Sequence, residues 1–73
     1  MIKRYVLVSF GFAEKPCWYI DSEDKATAGS IVKVDYGTYQ DVRGVVMQVI
    51  RADKNYPPYK GRIKDIWEII ELK

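Results

Sequence analysis

Residues 28–53, AGSIVKVDYGTYQDVRGVVMQVIRAD, constrain this chain more than any other stretch. Val32, Val34 and Tyr36 alternate with Ile31, Lys33 and Asp35, the period of a half-buried strand. Val45 to Ile50 is a second run rich in β-branched residues, and it follows Gly44. GTYQD lies between the two runs, with Gly37 free to take a positive φ at the bend. Gly29 stands just before the first run and Gly44 just inside the second, placements typical of a bulge or a tight bend at a barrel corner. The register of the second run is open. Gly44, Val46, Gln48 and Ile50 make one face and Val45, Met47 and Val49 the other, while a bulge would turn both Val46 and Val49 inward.

The remaining segments read as cover for this hairpin. Lys3 to Phe10 alternates around Val6, Val8 and Phe10, with Tyr5, Leu7 and Ser9 on the opposite side. Apolar residues on both faces suit a strand covered twice or closed into a barrel. Gly11–Pro16 is expected to be a loop, Cys17–Asp21 a short second strand, and SEDKATAG a polar connection. Asp53–Lys60 (DKNYPPYK) lacks two backbone donors at Pro57 and Pro58, so it is expected to be a stiff, exposed loop. Residues 61–73 fit a helical stripe (Ile63, Ile66, Ile69, Ile70) and a strand alternation alike. One helical turn over Arg62–Asp65 followed by a closing strand over Trp67–Leu72 satisfies both the β-branched content and an otherwise bare sheet edge. The expected fold is therefore mainly β: a single domain over residues 1–73, built as a small, strongly bent, five-stranded SH3-like barrel with one short helical turn before the last strand.

A chain of 73 residues buries only about 60% of the surface its unfolded form exposes. Ten aromatic residues (six Tyr, two Trp, two Phe) offset that small core. With one cysteine, Cys17, and no histidine, an intramolecular disulfide, a Cys/His zinc site and a Ser-His-Asp hydrolase are all excluded. Such cysteine usage fits a reducing compartment, and the cytoplasm is the expected location. MIKRYVLVSF is too short an apolar run for a signal core or a bilayer span, so no membrane association is expected. The net charge is +2, but its distribution is uneven. Residues 43–64 carry Arg43, Arg51, Lys54, Lys60, Arg62 and Lys64 against Asp53 alone, whereas acids dominate residues 14–41.

VLVSFGFAEKPCWYI, AGSIVKVDYG, VRGVVMQVI, the YPPY loop and IKDIWEIIE, in that order, resemble the N-terminal DNA-binding domain of the bacterial primosomal replication-restart helicase. The resemblance spans nearly the whole chain through Gly and Val motifs. It implies a barrel-like fold that recognises the terminal nucleotide of a DNA strand at a fork. That family's pocket uses an aromatic–Asp pair in the second strand and a basic residue after the hairpin glycine. Here Cys17 and Trp18 stand at the first place and Thr38, after Gly37, at the second. A free-standing domain of this type implies a small accessory protein, of the kind a phage or mobile element encodes.

Tyr36, Tyr39, Arg43, Arg51, Lys54, Tyr56, Tyr59, Lys60 and Arg62 interleave rings and cations, as single-stranded nucleic acid requires for stacking and phosphate neutralisation. Tyr36 belongs equally to a core, which leaves Tyr39, Arg43, Arg51, Lys54, Tyr56, Tyr59, Lys60 and Arg62 as the expected nucleic-acid-binding residues. NYPPY is also a candidate for an aromatic groove on a partner protein, against a purely structural loop. Asp21, Glu23 and Asp24 lack the Gly and distal Glu of a calcium loop and read as solubilising charges; no metal or other cofactor is expected. Cys17 has no activating His, and no Gly-rich phosphate loop exists. The chain thus reads as a non-enzymatic binding module, a nucleic-acid-binding barrel or alternatively a protein–protein adaptor or inhibitor of a larger enzyme. An exposed edge strand leaves it a monomer or a weak homodimer.

Overall fold

The structure, a computed structural model, describes residues 1–73. Five antiparallel strands form one sheet in the order β2-β1-β4-β3-β5: β1 is Ile2–Phe10, β2 Ala13–Ile20, β3 Ile31–Tyr36, β4 Tyr39–Asp53 and β5 Glu68–Glu71. There is no helix. The helical turn expected at Arg62–Asp65 is replaced by irregular chain, in which Asp65 forms a lone parallel bridge to Ile20. Competing demand explains this. The Ile20 amide donates to the Lys64 carbonyl (2.9 Å) and the Ile66 amide to the Ile20 carbonyl (2.9 Å), so these backbone groups serve the sheet edge and not a helical turn. The sheet is not closed into a barrel, because β2 and β5 do not pair with each other.

The central element is β4, at 15 residues. Its first half pairs with β3 (Lys33 opposite Arg43, Val34 opposite Val42) and its second half with β1 (Val8 opposite Val46, Ile2 opposite Asp53). Such sharing demands curvature, and bulges supply it. Met47 is the extra residue opposite β1, and this resolves the open register: Val46 is buried in the core, Val49 packs against it, and Met47 faces solvent. Gly44 lies where β4 crosses closest to β1. A Cβ there would meet the Ser9 carbonyl and the Phe10 ring, each at 3.0 Å, and would overlap the Val8 side chain.

Both hairpins are tighter than expected. The β1–β2 turn consists of Gly11 and Phe12, so most of the segment Gly11–Pro16 is strand and not loop. Glu14, Lys15 and Pro16 oppose Ser9 as a bulge, and Pro16 is tolerated because β2 is an edge strand whose outer side needs no donor. At the other hairpin Gly37 (φ 59°) and Thr38 make the turn, and Gln40 with Asp41 (φ 57°) bulges opposite Asp35. The core comprises Val6, Val8, Phe10, Tyr19, Ala26, Val32, Val34, Val46 and Ile66.

The connection 21–30 is held by two buried polar side chains. Asp21 accepts from the amides of Glu23 (3.2 Å), Lys25 (2.8 Å) and Ala26 (2.6 Å). Arg4 donates to the Ala26 carbonyl from Nε (3.0 Å) and Nη2 (2.7 Å), with its Nε 3.7 Å from Asp21 Oδ2. Asp21 is thus an internal organiser of the loop, not a solubilising charge. Ser30 Oγ, also buried, accepts from the Thr27 (3.1 Å) and Lys73 (3.3 Å) amides.

Candidate functional site

The polar connections and the open sheet leave one cleft in which rings and cations meet. It lies between β2 (Lys15–Tyr19), the end of β3 with its turn (Asp35–Gly37) and the irregular segment carrying Tyr59, Arg62 and Lys64, and its volume is about 540 Å³. That falls within the ~300–1,000 Å³ of small-molecule sites. Each wall follows from the local fold. Bulging of β2 at Glu14–Pro16 places Lys15 on the rim. The tight turn at Gly37 brings Tyr36 back over Phe10 (centroids 5.0 Å apart) and Phe12 (5.3 Å), both edge to face, which fixes its ring. Beyond the proline pair the chain returns to the sheet through Lys64 and Ile66, carrying Tyr59 and Arg62 with it, and the Tyr59 ring rests on Gly61.

Electrostatically the cleft is cationic and undischarged. Lys15, Arg62 and Lys64 take part in none of the ion pairs of the molecule. The one acid in the wall, Asp35, accepts no hydrogen bond through its carboxylate, and its Oδ1 is closed off from solvent with no partner. Beneath it the Tyr19 hydroxyl donates to the Asp35 carbonyl oxygen (2.8 Å). The Tyr19 hydroxyl is pushed up to about 12, first by burial and then by the Cys17, Tyr36 and Asp35 charges. It therefore remains a neutral donor at ordinary pH and pins the backbone from which the Asp35 carboxylate projects.

Of the eight residues expected to bind nucleic acid, the structure brings Tyr59 and Arg62 together in this cleft. Lys60 is exposed between them in sequence but does not line it. Tyr56, 80% exposed, and Lys54 stand on the 54–60 loop. Tyr39, paired with Tyr36 across the Gly37–Thr38 turn, does not line the cleft but lies with Phe12 and Val42 around a shallow apolar hollow. Arg43 is exposed on the outer face of the sheet opposite Lys33. Arg51 is engaged elsewhere: its Nη2 lies 2.8 Å from Asp24 Oδ2, beside the Arg4–Asp24 contact, so the basic and acidic stretches meet there and discharge each other. The cleft instead recruits Lys15, Trp18, Tyr36, Asp35 and Lys64. Lys15 was hidden in a segment that reads as loop, and Lys64 in one that reads as helical. A regular strand over residues 13–20 would set Lys15 and Trp18 on opposite faces, and the bulge at Glu14–Pro16 breaks that alternation. No three Cys, Asp or Glu side chains converge as a metal-binding group. Compared with protein-family models, with curated proteins and with solved structures, the chain matches none.

Proposed function

We propose that this protein is a non-enzymatic nucleic-acid-binding module whose cleft receives a nucleotide of a single strand. Three unpaired cations beside three rings in one cleft carry this reading: Lys15, Arg62 and Lys64 for phosphates, and Trp18, Tyr36 and Tyr59 for bases. The bent sheet, with β4 shared between its halves and Ile20 bridging to Asp65, supports classing the fold with small SH3-like barrels. The resemblance to the primosomal DNA-binding domain adds support of its own. That family's pocket draws on the second strand and the hairpin glycine, and here Cys17, Trp18 and Gly37 line the same cleft. The groups that the motif lacks at Trp18 and Thr38 have counterparts in the cleft, with Asp35 supplying the carboxylate and Arg62 and Lys64 the positive charge.

Fluorescence anisotropy with a labelled single-stranded and a forked DNA tests this. The expected result is binding that weakens with salt. Neutralising three phosphates on a single strand gives a slope of about −2 in log K against log salt. Simultaneous Lys15→Ala, Arg62→Ala and Lys64→Ala should abolish most of that slope, whereas Arg43→Ala or Arg51→Ala should change it little. No binding at micromolar protein, or binding indifferent to the triple substitution, would sink the proposal. A protein–protein adaptor is the second reading, favoured by the exposed hollow of Phe12, Tyr39 and Val42. Recovery of a stoichiometric protein partner that Tyr39→Ala abolishes would favour it over the first.

A further inference from the structure

We propose that segment 59–64 is a strap poised to close the cleft: an anion bridging the two walls lets it zip onto β2 at Trp18. This rests on the nucleic-acid reading for the anion and adds a movement to it. The observation is a ladder that stops one rung short. The Asp21 amide donates to the Arg4 carbonyl (2.9 Å), so Asp21 turns its backbone towards β1. Ile20 turns the other way. It donates to the Lys64 carbonyl and accepts from the Ile66 amide (2.9 Å each), a lone parallel bridge opposite Asp65. Backbone groups alternate sides along an antiparallel strand, so Trp18, opposite Leu7, points its N–H and C=O away from β1 as Ile20 does. The next parallel rung would join the Trp18 N–H to the Arg62 carbonyl and the Lys64 N–H to the Trp18 carbonyl. Neither bond is formed, and the Arg62 carbonyl and Lys64 amide have no other protein partner.

Charge explains why the rung stays open. Lys15 stands on the β2 wall, Arg62 and Lys64 stand on the segment that must approach it, and none of the three has an ion-pair partner. Asp35, the only acid in the wall, lies on β3 and pairs with none of them. Drawing the segment onto β2 brings like charges together, and their repulsion opposes the two hydrogen bonds that closure gains. A phosphate held between Lys15 and the cations of the strap turns that repulsion into attraction. Because the anion binds the closed arrangement better than the open one, it shifts the population towards closure. The ligand's charge is thus the trigger and the Trp18 rung the latch. The Ile20–Asp65 bridge is the fixed point from which the ladder extends.

Amide hydrogen exchange followed by NMR reads the latch directly. In the free protein the Trp18 and Lys64 amides should exchange fast, while the Ile20 and Ile66 amides, already bonded, are protected. Saturation with an all-thymidine oligomer should slow Trp18 and Lys64 about tenfold or more, the effect of two hydrogen bonds towards the low end of their net worth. Lys15→Glu, with no oligomer present, should slow the same two amides, because an acid facing Arg62 and Lys64 supplies the charge that the ligand otherwise brings. Lys15 is exposed, so the fold should survive the change. Should the variant not fold, unliganded wild type in about 1 M sodium chloride, where the screening length falls to ~3 Å, should show the slowing in part. Oligomer binding that leaves both amides fast overturns the closure and leaves nucleic-acid binding standing. No binding, with both amides slowed in Lys15→Glu, overturns the nucleic-acid reading and keeps the closure. No binding and no slowing overturns both. Slowing by the oligomer without slowing in Lys15→Glu overturns the assignment of the trigger to charge. Protection of both amides in the free protein would show the rung already formed and overturn the proposal as well.

Discussion

Gly44 and Tyr19 show how single residues carry this fold. At Gly44 the β4 backbone approaches β1 so closely that a methyl group would meet the Ser9 carbonyl oxygen at 3.0 Å, and a backbone atom in a ladder cannot swing aside. Gly44→Ala should therefore destabilise by about 1–3 kcal/mol through overpacking. Thermal unfolding followed by circular dichroism should register a loss of roughly 4–8 °C per kcal/mol in a domain of this size. Tyr19 carries a pH dependence. Its pKa lies at about 12 in the folded chain against 10.0 in the ordinary state, raised chiefly by burial. A raised folded value means that the stabilising contribution is fully present below pH 10.0 and is lost as pH climbs towards 12. Two pKa units correspond to about 2–3 kcal/mol. Denaturant titrations of wild type and Tyr19→Phe across that window should show the steeper alkaline decline in the wild type. Parallel declines would place the cause in other groups.

Among the elements, the connection 21–30 and the strand β2 depart most from what their composition suggests. The acids of 21–24 look like a solvated run. Yet Asp21 is buried and satisfies three backbone donors, while Arg4 closes the loop from the neighbouring strand. Asp21→Ala would leave those three donors without their acceptor and remove the carboxylate that lies 3.7 Å from Arg4 Nε, a cost on the order of 3 kcal/mol. Hydrogen exchange should then accelerate at the Glu23, Lys25 and Ala26 amides ahead of the rest of the sheet; unchanged protection there would show that the loop holds without Asp21. Strand β2 accommodates Pro16 and a bulge because it lies at the edge. That same bulge aims Lys15 at the cleft, so one local irregularity both ends a clean ladder and contributes to the candidate site.

For the molecule as a whole, the question left by an open sheet is what its edges do. β5 presents Glu68 and Glu71 at its two ends, and an antiparallel pairing of two β5 strands about their centre would set Glu68 of each copy opposite Glu71 of the other. Like charges directly opposite are destabilising, and charged side chains are a common guard for edge strands. β2 guards the other edge with Glu14, Lys15 and Pro16. The chain should therefore sediment as a monomer, and a double substitution Glu68→Thr and Glu71→Thr should shift analytical ultracentrifugation profiles towards dimer. A wild-type dimer would show that another surface mediates association.

Local chemistry determined the two strands of the central hairpin and the bend between them. The alternation of Val32, Val34 and Tyr36, the β-branched run after Gly44 and the proline pair at 57–58 each specify geometry through their own side chains, and the structure follows them. A short-range pattern cannot specify partnership across the sheet. Pro16 argues against a strand until the strand is known to be an edge, and residues 62–65 satisfy a helical period until Ile20 claims their backbone. The same limit governs the cleft. Rings and cations interleaved over 36–62 imply a binding surface, but the sheet order alone decides that Arg51 faces Asp24, that Arg43 lies on the outer face, and that Lys15 and Lys64 meet Tyr59 and Arg62 around Asp35. Backbone propensity acts over a few residues, whereas a site in a five-stranded sheet is assembled from strands whose adjacency only tertiary packing sets.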